Sequence, residues 1–344
     1  MWAQKNSPPR VDPPTFRCLL CNADRSIIRE SFGVYSVVQC AQCKVLTTSP
    51  VPSPEELWSF YNVKGYYGGK GAARFRYRPA AWIQSIFRWR RARLLKRLLR
   101  GAVGRTVLDI GCGRGYTLAW LQRWGADVYG TQISEPAAEV AKGRIGAERV
   151  FVGKLEDAAY PETSFDCITL WHVLEHVPDP VSLFREIARI LRPGGFVYIE
   201  VPNAGGWTAR TLGRHWLAYD IPRHLIHFTP KTLQTVASRA GLSCVQQVHF
   251  SIEYSPITLL QSLLNAWVGG ENLLFRLVTQ ESVSSDPRRR VGRTQILAHL
   301  FLAAALLTPA LVWSWLLGQF RAGDILGGYF KLAAGELRYN GWKE

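Results

Sequence analysis

The chain has 344 residues, 47% of them apolar, enough for one large domain or two smaller ones around a buried core. Its formal charge of +16 calls for an anionic partner: nucleic acid, an acidic membrane surface or a phosphorylated substrate. Seven cysteines, four of them in two C-x-x-C pairs, speak against a disulfide-held secreted scaffold and for a reducing compartment and a metal. Met1 to Pro14 is polar and proline-rich and does not read as a signal peptide.

The first element, residues 15–50, is a zinc ribbon. Cys18-x-x-Cys21 and Cys40-x-x-Cys43 are 18 residues apart, a spacing at which each pair wraps one side of a tetrahedral ion. Four thiolates leave no open position, so the zinc is structural. Val34 to Gln39 reads as one strand of a hairpin between the pairs. Ser49-Pro-Val-Pro-Ser-Pro54 is a stiff exit, Glu55 to Tyr61 a short helix, and Tyr66 to Gly71 a loop rich in glycine and tyrosine. Ala81 to Arg100 reads as a helix carrying Arg88, Arg90, Arg91, Arg93, Lys96, Arg97 and Arg100. Two readings stay open for it: a solvated face packed on a sheet, or a basic amphipathic helix on anionic lipid.

Val107-Leu-Asp-Ile-Gly-Cys-Gly-Arg-Gly-Tyr-Thr-Leu118 organises the rest. A buried strand ends in a Gly111–Gly113–Gly115 turn, and a helix follows from Tyr116 to Trp124. Closely spaced glycines let backbone approach a ligand where any Cβ would clash. Many strand-to-helix corners need glycine for packing alone; the more specific feature is Asp109, at the strand's carboxyl end. Strands at Asp127–Thr131, Arg149–Val152, Phe165–Trp171 and Phe196–Val201 then alternate with helices at Pro136–Arg144 and Pro180–Leu191. That alternation means a parallel sheet covered on both faces, an α/β class.

Four stretches carry a resemblance: Val107–Leu118; Phe165–Asp166 leading into Leu174-Glu-His-Val-Pro-Asp-Pro180; Leu191-Arg-Pro-Gly-Gly-Phe196; and Ile199-Glu-Val-Pro-Asn203. With the ribbon they resemble the class I S-adenosylmethionine (SAM)-dependent methyltransferases, in the bacterial branch with an N-terminal zinc ribbon. The resemblance implies a Rossmann-like seven-stranded sheet and SAM as cofactor. Asp109, Gly111, Cys112, Gly113 and Gly115 would hold the amino acid end. The ribose position, acidic in the family, is Gln132, with Ile133 beside it. Glutamine lacks a carboxylate's charge-assisted, bidentate acceptance, which weakens SAM by about 1 kcal/mol. Lys154 stands where the family often has an acidic residue for adenine, leaving Leu155 and Glu156 to take over. Trp171 and His172 would meet the donor and acceptor at the mouth; Glu175 and His176 belong to a motif that more often supports the loop than reacts.

Leu217-Ala-Tyr-Asp-Ile-Pro-Arg-His-Leu-Ile-His-Phe228 gathers Asp220, Arg223, His224 and His227 before a helix at Pro230–Ala240. Methyl transfer to oxygen needs a proton acceptor, and histidine titrates in the useful range. Arginine would hold a phosphate or carboxylate. The region resembles the histidine-rich acceptor motif of ribbon-bearing sugar methyltransferases; the alternative is a hydrogen-bonded turn that caps the sheet. His224, His227, Asp220, Arg223 and His172 are the catalytic candidates.

Residues 51–251 thus form linker, basic helix and SAM-binding domain, closing on a strand at Leu242–Ser251. Residues 252–322 are an apolar helical insertion, and 323–344 hold the last strand, Asp324–Lys331, and a tail. Ile296 to Leu317 has no charge and as a helix would span about 33 Å, enough for a bilayer. A single crossing would strand the last β-strand, so two crossings or a re-entrant pair are expected, with Arg288–Arg290, Trp313 and Trp315 at the headgroups; the alternatives are a soluble cap or a homodimer interface. The expected function is methyl transfer to a sugar, glycan or lipid-linked acceptor by a cytoplasmic enzyme, peripheral or monotopic on the inner membrane. Its rivals are a soluble nucleotide-sugar methyltransferase, an RNA methyltransferase and a non-catalytic SAM-binding scaffold. No regular basic–aromatic motif supports nucleic acid.

Overall fold

A computed structural model describes residues 16–61, 78–269, 272–279 and 292–333. The chain start, the Tyr66–Gly71 loop and Arg288–Arg290 lie outside them.

The ribbon begins with β1 (Ser26–Phe32), β2 (Tyr35–Cys40) and β3 (Leu46–Ser49), an antiparallel meander. Phe32 pairs with Tyr35, so Gly33 and Val34 form a two-residue turn; Gly33, at φ 68°, supplies the left-handed backbone this turn needs. After α1 (Pro54–Tyr61) comes α2 (Arg78–Leu98), the basic helix.

The large sheet is built from β4 (Thr106–Ile110), β5 (Asp127–Gln132), β6 (Val150–Val152), β7 (Phe165–Trp171) and β8 (Leu191–Pro202), with α3 (Tyr116–Arg123), α4 (Glu135–Ile145) and α5 (Pro180–Ile190) between them. Then follow α6 (Trp207–Leu212), β9 (Ile226–His227), α7 (Pro230–Ser238), β10 (Leu242–Val248), α8 (Ser255–Trp267), α9 (Leu273–Thr279), α10 (Arg293–Gln319) and β11 (Ile325–Leu332). The strand order is β10-β11-β8-β7-β4-β5-β6, with β11 antiparallel to both neighbours. The fold is therefore the seven-stranded, mostly parallel methyltransferase sheet.

Strand alternation sorts the core. Leu108, Ile110, Ile168, Leu170, Val197 and Ile199 face α5, α7 and the ribbon's Cys40 and Val45. Val107, Cys167, Phe196 and Tyr198 face Leu95 of α2, Leu118 of α3 and Ala138 of α4. The helix before Arg192–Gly195 ends at Ile190, and that stretch is already the first part of β8. At Gly195 a Cβ would lie 2.9 Å from the Arg192 carbonyl and 3.0 Å from that of Asp166, so only glycine lets β8 run this close to β7.

Two junctions matter for the site. The ribbon sheet has a fourth strand, β9: Leu46 pairs with His227 and Thr47 with Ile226. The end of the Leu217–Phe228 segment, Ile226–His227, is thus a strand of the ribbon sheet. The insertion folds as α8, α9 and α10 around Leu259, Leu260, Leu264 and Leu274. It also braces that segment: the Leu217 N–H donates to Ser262 Oγ at 2.9 Å, and Asn265 Nδ2 donates to the His215 carbonyl at 3.1 Å. At 13 residues α8 reaches only about 20 Å, too short to cross a bilayer. Among the described residues α10 alone has the length and apolar composition for that, and only 11% of its most apolar window is buried. Two short helices, α8 and α9, thus stand where a second crossing would need one long one, and of the two arrangements expected the crossing pair is not formed among the described residues.

Candidate active site

The donor side starts where β4 ends. Gly111, Gly113 and Gly115 have φ of 69°, 56° and 72°, all left-handed. A Cβ on Gly111 would lie 2.5 Å from Val173, so the loop is pressed against the turn after β7. A Cβ on Gly113 would meet nothing within 4 Å, so this edge borders open space. Cys112 turns its thiol inward: a Cβ on Gly130 of β5 would be 2.6 Å from its sulfur.

Asp109 is buried and accepts from Thr169 Oγ1 at 2.6 Å. Burial pushes its carboxyl up to about 6, against the pull of Thr169, Arg91 and Arg88. The folded protein therefore holds a proton that the unfolded chain releases near pH 4. Stability from this group is complete below that value and is lost as pH rises through about 6. Asp109→Asn keeps the acceptor for Thr169 and removes the buried charge. At pH 8 it is expected to gain about 2–3 kcal/mol in denaturant unfolding while SAM affinity drops about tenfold. Unchanged SAM affinity would place Asp109 outside the site.

Gln132 closes β5, buried, with its Oε1 accepting the Ser134 N–H at 3.1 Å. A carboxylate keeps that bond and adds a charged acceptor, so Gln132→Glu is expected to tighten SAM about fivefold in calorimetric titration. Loss of affinity would mean the ribose lies elsewhere. Ile133 is exposed beside it; Leu155 is buried in the main core, and Glu156 stands exposed on the rim.

The indole of Trp171 is occupied by packing. It stacks between the Arg91 guanidinium, 4.4 Å away, and Tyr198, 4.6 Å away. It lines a groove of about 470 Å³ between α2 and the β10–β11 edge. Arg91 itself corrects the surface reading of α2. Only 11% of its side chain is exposed; it pairs with Glu253 at 2.8 Å and lies 4.0 Å from Glu200, while Arg88 reaches Glu253 at 2.8 Å. Sequence reasoning missed Glu200 and Glu253, because the partners of Arg91 lie more than a hundred residues away in the chain.

His172 follows β7 with φ 55°, its N–H held by the Glu200 carbonyl at 2.8 Å. That turn aims the ring between two carboxylates: Nδ1 is 3.3 Å from Glu175 Oε1 and Nε2 is 3.4 Å from Glu200 Oε1, with Tyr254 4.0 Å from the ring. Burial works against its proton, but Tyr254, Glu175 and Glu200 outweigh that and raise it to about 10. A protonated imidazole between two carboxylates is held in place by both, which ties the end of β7 to Glu175 and Glu200. Glu175, in spite of burial, is held down to about 2 by His172.

The acceptor segment converges on the same place. His176 Nδ1 is 3.0 Å from the Arg223 carbonyl, and His224 Nδ1 is 2.9 Å from that of Ala218. Their rings sit 4.7 Å apart, edge to face. Asp220 pairs with Arg223 at 2.7 Å and places its other oxygen 3.6 Å from His224 Nε2. His227 is tied to the ribbon, its Nε2 3.3 Å from Thr48 Oγ1, and Thr48 donates to the His224 carbonyl at 2.5 Å. Burial, then His224, lowers His227 to about 3 and His176 to about 4, so both are neutral. Of the four candidates, His224, Asp220 and Arg223 are brought to Glu175 and His176, while His227 serves as the joint with the ribbon.

Cys18, Cys21, Cys40 and Cys43 gather their sulfurs within 4.8 Å, with contacts of 3.4 and 3.6 Å. Zinc–sulfur bonds of about 2.3 Å put tetrahedral sulfurs roughly 3.8 Å apart, so the four cysteines fit a structural zinc; no disulfide joins them.

The profile of the methyltransferase-domain family matches residues 76–247 of the chain. The chain belongs to that family. This class I methyltransferase uses SAM. The ubiquinone biosynthesis O-methyltransferase of Cupriavidus pinatubonensis is 31% identical over 193 residues, covering 53% of this chain and 77% of that protein. Its namesake from Aromatoleum aromaticum is 32% identical over 176 residues, covering 48% and 74%. A SAM-dependent methyltransferase structure from Archaeoglobus fulgidus is 18% identical, with a TM-score of 0.43, covering 73% of this chain and 98% of that one.

Proposed function

We propose that this methyltransferase transfers a methyl group from SAM to a hydroxyl oxygen of a lipid-linked or otherwise amphiphilic acceptor at the cytoplasmic face of a membrane. The observation that carries the reading is α10. Leu297, Leu300, Phe301, Leu307, Val312 and Trp313 are each about half exposed or more on a helix whose other side packs on α8, and α8 braces the acceptor segment. An apolar face this large on a soluble monomer needs a cover, and lipid beside the acceptor mouth supplies both cover and substrate. The formal charge of +16 favours an anionic leaflet. Oxygen as the acceptor atom is supported by the relatives, whose names say O-methyltransferase.

SAM supplies an electrophilic methyl on sulfur. The protein aligns the acceptor oxygen in line with it and handles the hydroxyl proton. That second task falls to the buried group Glu175, His176 and His224, with Asp220 and Arg223 behind it. His172, Glu200 and Arg91 hold the donor side rigid.

Flotation with phosphatidylcholine–phosphatidylglycerol vesicles tests the membrane part. The wild-type protein is expected to rise with the vesicles, and Leu300→Glu/Phe301→Glu to stay below. A wild-type protein that stays below, and methylates nucleotide sugars in free solution, would establish the soluble reading instead.

A further inference from the structure

Glu175, His176 and His224 each bring one ligand-capable atom within 4.8 Å of the others. The arrangement is built from the backbone outward. Glu175 and His176 sit in a 3-10 turn at Leu174–His176, where the chain leaves β7, while His224 arrives from the segment that the ribbon holds. The Leu225 N–H donates to the Glu175 carbonyl at 2.8 Å, locking the two pieces in register.

Both imidazoles have Nδ1 against a main-chain carbonyl, Arg223 for His176 and Ala218 for His224. A carbonyl only accepts, so each Nδ1 carries a hydrogen, and Nε2 is the ring atom left for a ligand role. This is how proteins orient histidines for a metal. Glu175 is 1% exposed, and its two oxygens differ: Oε1 takes the His172 contact, while Oε2 is buried with no hydrogen-bond partner. A buried, ionised carboxylate oxygen left bare costs on the order of 1–3 kcal/mol or more unless something cationic meets it. Asp220 Oδ2, 3.6 Å from His224 Nε2, adds a second negative oxygen at the edge.

Resting on the oxygen-methylation reading above, we infer that Glu175, His176 and His224 form a mononuclear divalent metal site, distinct from the ribbon, that binds the acceptor's hydroxyl. Two imidazole nitrogens and one carboxylate match the donor set of open, catalytic zinc sites, and the half-buried His176 leaves the acceptor side for the remaining positions. The ion draws charge from the bound hydroxyl, which releases its proton to water. The oxygen then attacks the methyl carbon. An oxygen–carbon bond forms, the carbon–sulfur bond breaks, and sulfur keeps the electron pair as a neutral thioether. His224 is in this account a ligand and not a base.

Zinc stoichiometry tests the inference on the intact chain. Protein dialysed against buffered zinc is assayed by inductively coupled plasma mass spectrometry, with SAM calorimetry as the check of folding. Wild type is expected to hold the ribbon's zinc and a second ion. Glu175→Gln and His176→Ala should each keep the ribbon's ion and bind SAM normally, but lose the second. Cys40→Ser should lose the ribbon's ion. Wild type with only the ribbon's ion, or a second ion indifferent to both Glu175→Gln and His176→Ala, overturns the site. Such a result leaves methyl transfer to the amphiphile standing, since His224 can then act alone; conversely, a second ion in a protein that methylates no amphiphile fails the functional reading and keeps the site.

Discussion

His224→Ala is expected to stop methyl transfer while SAM still binds. The imidazole is 8% exposed and fixed on one side by the Ala218 carbonyl; its other nitrogen faces Asp220, and its ring abuts His176. Nothing in this contact list belongs to the glycine turn or to the end of β5. Removing the ring therefore leaves the donor side intact and removes the group proposed to meet the acceptor oxygen. A loss of about a hundredfold to ten-thousandfold in kcat is the scale for such a group. SAM affinity should change less than about threefold by calorimetry. Wild-type turnover would take His224 out of the reaction. A parallel collapse of SAM binding and folding would make it a packing residue, the bland alternative for this turn.

Breaking the ribbon is expected to have the second largest effect, and at a distance. Cys40→Ser removes one of four ligands of a closed zinc site, and structural zinc supplies the folding energy of such modules. Cys40 and Val45 also belong to the main core, and β3 carries β9 through Leu46–His227 and Thr47–Ile226. With β3 disordered, His227 loses its strand partner and the His224 carbonyl loses the Thr48 hydroxyl. Turnover is expected to fall about a hundredfold or more, with a melting midpoint lowered by about 5 °C or more. SAM affinity should hold, because the helices that back the glycine turn, α2, α3 and α4, pack on the other face of the sheet from the ribbon. A variant that unfolds as metal is lost but still methylates at the wild-type rate would separate the ribbon from the acceptor site.

Much of this was legible in the chain. Phe165–Trp171 was bounded correctly because five of its seven residues are apolar and favour a buried central strand, with only Asp166 and Thr169 polar. The four cysteines announced themselves by spacing. The turn at Gly111, Gly113 and Gly115 was legible because three closely spaced glycines after an apolar run mark a strand end whose backbone is left-handed, as it is. The last strand, separated from its neighbour by the insertion, was readable as Asp324–Lys331 and is Ile325–Leu332.

What stayed hidden depends on partners distant in sequence. β9 has two residues, too few for any periodicity, and its partner Leu46 lies in the ribbon. Arg91 looked like its exposed neighbours on a basic helix; only the fold brings Glu200 and Glu253 to it. His172 read as a catalytic candidate at the mouth after β7, and its placement between Glu175 and Glu200 could not be seen in the sequence. Glu175 and His176 read as loop support because His224, which completes their cluster, is some fifty residues on.

The central claim is that oxygen methylation from SAM takes place on an amphiphile, at the place where ribbon, β7 turn and α8–α10 meet. Zinc-replete protein incubated with SAM labelled in the methyl group and a bacterial membrane extract tests it most directly. The label should enter the organic phase as a methoxy group with wild type and not with His224→Ala. Label confined to the aqueous phase, or equal incorporation by the two proteins, would contradict it.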